Sequence, residues 1–304
     1  MKQLVILSGK GGTGKTSVTA AFAHLAHTAG VPTVLVDADV DAANLELVLR
    51  PRCLEKHQFM GVAAADIDEE RCQGCGICEQ VCRFDAIIPP KASGGDHYRI
   101  DPLACEGCAA CFYQCPEEAI HMQPQLAGHW FRSESRYGPF FHAELLPAQE
   151  NSGKLVMVVR QHARQLGLDT GARVVIVDGP PDIGCPVISA VSGVDLALVV
   201  AEPSAAGIHD MERALQMASH FRVPSLVCIN KDDIYPRGAE RIAAYCEQHY
   251  HALVGCVPFD ERVTEAMVLG EPVTAFRPDA PASRSLVVIW DRITRYLDGN
   301  ESSP

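Results

Sequence analysis

The sequence predicts an α/β protein, a doubly wound, mostly parallel sheet with a small α+β domain inserted into it. Two observations carry this reading. Short apolar runs that close on a polar residue alternate with helical patterns in both outer parts of the chain, which is the grammar of βαβ units. From 59 to 125 that grammar stops, and a cysteine-rich stretch with its own repeat takes over. The outer segments, 1–58 and 126–304, are therefore assigned to one discontinuous domain and 59–125 to the insert.

Each element has a local reason. Leu4–Leu7 is a short apolar run ending in Ser8-Gly9, a buried parallel strand. Ser17–Ala29 is alanine-rich at helical spacing, with Gly30 where a C-cap belongs. Thr33–Val36 is the next strand, closed by Asp37, and the unit predicts a right-handed crossover. Beyond the insert, Val174–Val177 closes on Asp178 and Leu196–Val200 on Ala201-Glu202-Pro203. Leu226–Ile229 closes on Asn230-Lys231, and Leu253–Val257 on Pro258. His209–Phe221 and Gly238–His249 supply helices between them, and Leu286–Leu297 a last helix packing on the sheet.

Gly9-Lys10-Gly11-Gly12-Thr13-Gly14-Lys15-Thr16 lies between the first strand and the first helix, and matches the phosphate-loop pattern G-x-x-x-x-G-K-[ST] in its required context. The outer domain is thus expected to be a P-loop NTPase. Glycines let backbone N–H groups turn towards phosphate oxygens, and the helix N-terminus adds partial positive charge. Lys15 is expected on the β- and γ-phosphates and the Thr16 hydroxyl on Mg²⁺.

Of the 13 cysteines, eight fall within Cys72–Cys115. Cys72-x2-Cys75-x2-Cys78-x3-Cys82 recurs as Cys105-x2-Cys108-x2-Cys111-x3-Cys115, each copy followed by Ala-Ile. This is the spacing of two-cluster bacterial ferredoxins, in which the fourth cysteine of each run ligates the other cluster. The rule assigns Cys72, Cys75, Cys78 and Cys115 to one 4Fe–4S cluster, and Cys82, Cys105, Cys108 and Cys111 to a second. Pro116 follows the second run as the pattern asks, whereas Arg83 stands in its place after the first. Zinc sites favour C-x2-C pairs at wider separation, so the duplication argues for clusters. The five other cysteines, Cys53, Cys185, Cys228, Cys246 and Cys256, are read as small core residues, with a reactive thiol near the nucleotide as the second reading of Cys185.

The motif Lys-Gly-Gly-Thr-Gly-Lys-Thr at 10–16 resembles the MinD/ParA family of deviant-Walker ATPases, and the resemblance runs along 1–58 and 150–275. With the cysteine-rich insert, the chain is similar to the ATPases of the orange protein complex. The resemblance implies that Lys10 reaches the phosphates of a partner in a nucleotide-bound dimer. It implies that Asp39 positions the attacking water, that Asp37 holds the strand end or a water on Mg²⁺, and that Asp178 of Asp178-Gly179-Pro180-Pro181 holds Mg²⁺. Asp41 departs from the common pattern and reads equally as a second site carboxylate or a solvated acid. Asn230 falls where the family reads the base, and Pro258 closes the strand beside it. Asn230-Lys231-Asp232-Asp233 also fits N-K-x-D, with Asp233 as a guanine reader, so GTP stands as the alternative to the favoured ATP.

The formal net charge is −12, and the insert, with 4 basic and 11 acidic residues, supplies −7 of it. A nucleic-acid partner is not expected. No apolar run is long enough to span a bilayer and no signal peptide is read, so a cytoplasmic protein is expected. The final residues lack the basic amphipathic helix of MinD proteins proper, which argues against membrane cycling. The expected activity is ATP hydrolysis coupled, through a nucleotide-dependent homodimer or a heterodimer with a similar ATPase, to electron transfer or metal-cofactor assembly on a partner protein. The alternative is a positioning switch for division or partitioning, with the clusters as sensors or structural elements.

Overall fold

The computed structural model describes residues 1–90, 97–147, 151–181 and 184–299. Positions 182–183, beside the Asp178 motif, and the residues from 300 onwards lie outside the described residues. The described chain forms two compact units. The first comprises Met1–His57, Trp130–Glu144 and the chain from Ser152, and the second Gln58–His129 and Leu145–Asn151.

A nine-stranded sheet has the order β11-β10-β9-β1-β8-β2-β7-β6-β3, and its strands from β11 to β2 in that order lie wholly in the first unit. Its strands are β1 (Lys2–Leu7), β2 (Thr33–Asp37), β3 (Arg52–Ile67), β6 (Ile120–Ser135), β7 (Gly138–Leu145), β8 (Val174–Asp178), β9 (Leu196–Ala201), β10 (Ser225–Asn230) and β11 (Ala252–Val257). From β11 to β7 every neighbouring pair is parallel. Only Arg136-Tyr137 joins β6 to β7, a hairpin length that makes those two antiparallel. The helices are α1 (Lys15–Thr28), α2 (Leu45–Leu49), α5 (Ser152–Thr170), α6 (Cys185–Val191), α7 (Ala205–His220), α8 (Pro236–Gln248), α9 (Glu261–Val268), α10 (Val273–Phe276) and α11 (Pro281–Leu297).

Alternation along β9 and β10 shows why the sheet is covered on both faces. Leu198, Val200, Leu226 and Cys228 enter the core that also holds Phe22 of α1 and Trp290 of α11, whose rings lie 5.1 Å apart. Val199, Ala201, Val227 and Ile229 enter the opposite core, with Met211 and Leu215 of α7 and Ile242 of α8. Helix α7 begins at Ala205 rather than His209 because Ser204 caps it, its hydroxyl accepting the Gly207 N–H at 3.0 Å.

β3, β6 and β7 enlarge the sheet beyond what alternation in the sequence shows. Pro124 and Gly128 break the apolar alternation of β6, and β3 is largely exposed until Phe59. The same exposure corrects one cysteine, because Cys53 sits exposed on β3, the last strand of the sheet order, and not in the core. Cys185, the first residue of α6, is likewise exposed, whereas Cys228 and Cys246 are buried and Cys256 partly so. Among the described residues no helix is long and apolar enough to cross a membrane.

Inside this unit His142 of β7 is stacked between Phe131 and Phe140, with centroids 4.8 Å away on either side. Its Nε2 lies 3.1 Å from Ser133 Oγ, and its Nδ1 3.3 Å from Glu46 Oε2 without forming a hydrogen bond. Burial holds the imidazole down at about 4. The folded value lies below the unfolded one of about 6.5, so the unfolded chain takes the proton first as pH falls. Stability is then complete above about pH 6.5 and declines towards pH 4, by up to ~3 kcal/mol from this one group. Urea midpoints at pH 7.5 and 4.5 are expected to differ less in His142→Phe than in the parent.

The second unit contains α3 (Ile77–Val81), α4 (Ala110–Gln114) and an antiparallel pair, β4 (Ile87–Ile88) with β5 (Arg99–Ile100). The cysteine repeat becomes a structural repeat. Both helices start after a left-handed residue, Gly76 at φ 75° and Ala109 at φ 59°. Both end as the backbone turns extended, at Cys82 and Cys115. Cys78 and Cys111 are buried in a core with Ala65, Ile67, Ile87 and Ile120.

Candidate nucleotide site and cysteine recesses

β1 delivers the phosphate loop to the carboxyl end of the sheet, between β8 and β9, and α1 carries the chain away to β2. That reversal of strand order is where open α/β sheets bind ligands. Gly12 and Gly14 hold φ of 81° and 93°, values costly for any residue with a Cβ. A Cβ on Gly14 would also lie 2.2 Å from Asn230 Nδ2, whereas one on Gly11 or Gly12 would meet no atom within 4 Å. The loop is thus closely packed behind and open in front. The Thr13 hydroxyl is buried with no hydrogen-bond partner, which leaves a donor available to a phosphate oxygen.

Two strand ends bring carboxylates to the loop. Asp178, at the tip of β8, accepts from the Lys15 ammonium at 3.2 Å, the Thr16 hydroxyl at 2.7 Å and the Thr19 hydroxyl at 2.8 Å. Asp37, at the tip of β2, is buried and accepts backbone N–H groups of Asp39 and Leu45, both at 3.0 Å. Burial and then the charge of Asp178 push Asp37 up to about 8, with Lys15 pulling the other way. Burial likewise pushes Asp39 up to about 6, against the pull of Lys15. A carboxylate near that value can accept a proton from water close to neutral pH. Asp41 is exposed.

Among the described residues, no three His, Cys, Asp or Glu side chains converge closely enough to hold a metal ion by themselves. Mg²⁺ does not need such a cage, since it keeps waters and shares one or two protein oxygens with substrate phosphates. The Thr16 hydroxyl and Asp178 carboxylate fit that requirement.

The strand-end loops on the other side supply the remaining contacts. Asn230 donates to the Thr13 carbonyl at 2.7 Å, and the Lys231 ammonium donates to the Gly12 carbonyl at 3.1 Å. Both residues therefore brace the phosphate loop. Asp233 accepts the Phe259 N–H at 2.7 Å, tying the β10 loop to the segment after Pro258. Lys10 pairs with Glu202, its Nζ 3.1 Å from Oε2, and Lys231 approaches the other oxygen at 3.6 Å. Glu202 was legible only as the polar close of a strand; no motif marks it as a partner of Lys10.

In the second unit the cysteines stand around two recesses. One is lined by Cys72, Cys75, Cys78 and Cys115, with Tyr98 and Pro116. The other is lined by Cys82, Cys105, Cys108 and Cys111, with Phe84 and Ile100. Backbone N–H groups point at two of the sulfurs, Ala65 to Cys105 Sγ at 3.4 Å and Ala119 to Cys115 Sγ at 3.3 Å. Burial pushes the Cys78 thiol up to about 11 and raises Cys111 as well. Any metal entering must displace those protons.

Comparison with known proteins gives four findings. The family model for the CobQ/CobB/MinD/ParA nucleotide binding domain matches residues 4–273. An uncharacterized protein of Methanocaldococcus jannaschii, MJ0578, is 30% identical over 295 residues, covering 97% of each chain. An iron-sulfur cluster carrier protein of Pyrococcus furiosus is 29% identical over 146 residues, 41% of this chain and 48% of that one. Among solved structures, the septum site-determining protein MinD of Pyrococcus horikoshii, complexed with Mg-ADP, superposes with a TM-score of 0.59 at 15% identity, over 99% of both chains.

Proposed function

The chain belongs to the CobQ/CobB/MinD/ParA nucleotide-binding family, and from that premise we propose that it is an ATPase carrying two 4Fe–4S clusters, whose nucleotide cycle gates electron delivery to, or metal-cofactor assembly on, a partner protein. One observation carries the reading: two sets of four cysteines, each drawing its fourth member from the other sequence run, line separate recesses in the unit inserted into a P-loop fold. Thiolates placed around a recess suit a polynuclear cluster, whereas a tetrahedral zinc draws four sulfurs to within about 2.3 Å of one point. When bound, such clusters accept and release single electrons. The similarity over 41% of this chain to an iron-sulfur cluster carrier protein adds support.

The residues divide the work as follows. The phosphate loop and Lys15 bind the triphosphate. Thr16 and Asp178 hold Mg²⁺, which draws charge from the phosphate oxygens. Asp39 orients the attacking water, and Lys10 completes the partner subunit's site in a nucleotide-bound dimer. Asp233 is engaged with the Phe259 backbone, which supports adenine over guanine as the base.

The test is an anaerobic potentiometric titration with and without Mg-ATP. Coupling is reciprocal, so a nucleotide cycle that senses the clusters must shift their potential. A shift on the order of 59 mV, ~1.4 kcal/mol for a one-electron couple, is expected. Unchanged potentials, in the presence of the partner as well, would leave the positioning switch, the reading favoured by the fold shared with MinD.

A further inference from the structure

The second unit is made of two copies of one pattern, and the positions at which the copies differ single out one of its two recesses. A constant offset of 33 residues carries Cys72 onto Cys105 and Cys82 onto Cys115. It also carries Asp85 onto Glu118, both left-handed with φ of 52° and 49°, so the backbone repeats with the sequence. Four side chains break the repeat in one sense. Glu70, Glu79 and Gln80 of the first copy become Leu103, Phe112 and Tyr113 in the second. Phe84, which lines the recess of Cys82, Cys105, Cys108 and Cys111, stands where Glu117 lines the other recess. Leu103 is 73% and Tyr113 80% exposed, and Phe84 and Phe112 are exposed too. The rings of Phe112 and Tyr113 lie 5.1 Å apart, edge to face. Exposed Arg83 takes the place of Pro116. A lone exposed apolar side chain needs no explanation. Four of them, each in place of a polar residue that the same backbone carries in the other copy, are not demanded by folding.

We propose that the chain around the second recess is the docking surface for a one-electron carrier protein that meets it with an uncharged, apolar edge. The inference deepens the reading above, in which the recesses hold clusters. Area and charge select the occupant. The exposed parts of four side chains amount to on the order of a few hundred Å², less than the roughly 800 Å² per partner of a stable complex and in the range of transient redox encounters. A second copy of the chain held there permanently would need more. The insert supplies −7 of the net charge, which steers basic proteins towards its carboxylates. Glu70, Glu79 and Glu117 have no acidic counterparts in the second copy, so basic charge is not what this surface selects. Cys108 of the second set is exposed, which lets a partner seated there approach that set closely. In the step this surface serves, one electron passes from the chain, reduced beforehand by a low-potential one-electron donor, to the partner's one-electron centre. No bond forms or breaks.

The experiment compares the full chain, reduced with dithionite and freed of the excess, with Leu103→Gln/Tyr113→Gln, the second change copying Gln80. Two protein acceptors of opposite charge are offered, acidic rubredoxin and basic cytochrome c. Iron content and the electron paramagnetic resonance of the reduced protein are read first, so a missing cluster counts against the cluster reading and not against the docking surface. At equal iron, the second-order rate of rubredoxin reduction is expected to fall roughly tenfold in the double variant, with cytochrome c reduction within about twofold of the parent. The mirrored change, Glu70→Gln with Gln80→Ala, is expected to leave rubredoxin reduction within about twofold. Amide hydrogen exchange supplies a readout that needs no electron transfer: with excess oxidised rubredoxin, the stretch 103–114 of the parent is expected to exchange more slowly while 70–81 does not. It uses parental protein, so it stands even if the double variant loses iron. Equal loss with both acceptors, no loss with rubredoxin, or protection confined to 70–81 would overturn the docking surface.

Discussion

Lys10→Ala is expected to bind Mg-nucleotide within about fivefold of the parent and to lose hydrolysis by a factor on the order of 10³. The difference follows from where the lysine stands. The loop that binds phosphate is held without it: Asn230 and Lys231 brace the Thr13 and Gly12 carbonyls, and Lys15 and Thr16 converge on Asp178. Lys10 touches none of these groups and pairs only with Glu202 among the described ion pairs. Its removal leaves the ground-state site intact and takes away one positive charge that the reading assigns to the transition state of the facing subunit. Isothermal titration with a non-hydrolysable ATP analogue and a phosphate-release assay separate the two effects. Lys15→Ala supplies the contrast, because it removes a charge from the loop itself and should weaken binding as well. Turnover within about twofold of the parent in Lys10→Ala would remove the dimer mechanism, and with it the reason for a lysine to sit at this place in the loop.

The parts of this site that the sequence displays are those made by one stretch of chain. The glycine loop, the two carboxylates at strand tips and the cysteine runs each carry their chemistry in local spacing. Asp37 and Asp178 stand out because they close runs that are buried on both faces, and such runs are legible as continuous apolar text. What spacing does not display are pairings between distant loops. Glu202 meets Lys10, and Asp233 is taken up by Phe259, through the arrangement of β1, β9, β10 and β11 side by side. The strands that widen the sheet were illegible for a different reason. β3 and β6 mix charged and polar residues, Pro124 and Gly128 with apolar ones, because much of their surface faces solvent. Apolar alternation then no longer distinguishes a strand from a loop.

Iron content offers the second large effect. Cys82→Ser is expected to lower iron from about eight to about four atoms per chain, since one complete ligand set is broken and the other is not. The proposed set is the crossed one. Cys82 ends α3 with extended backbone, φ −73° and ψ 121°, and lines the recess of Cys105, Cys108 and Cys111 rather than that of its own run. Cys115 does the reverse after α4 and lines the recess of Cys72, Cys75 and Cys78. A single substitution cannot tell crossed from local ligation by iron count alone, but pairs can. If the sets are crossed, Cys82→Ser with Cys108→Ser damages one site twice and should still retain about four irons, whereas Cys82→Ser with Cys75→Ser damages both and should retain almost none. Local ligation demands the opposite pattern, with the Cys75 pair keeping iron and the Cys108 pair losing it. Non-additivity between cysteines far apart in sequence would thus report a shared cluster directly, and additivity within the crossed set would sink the assignment.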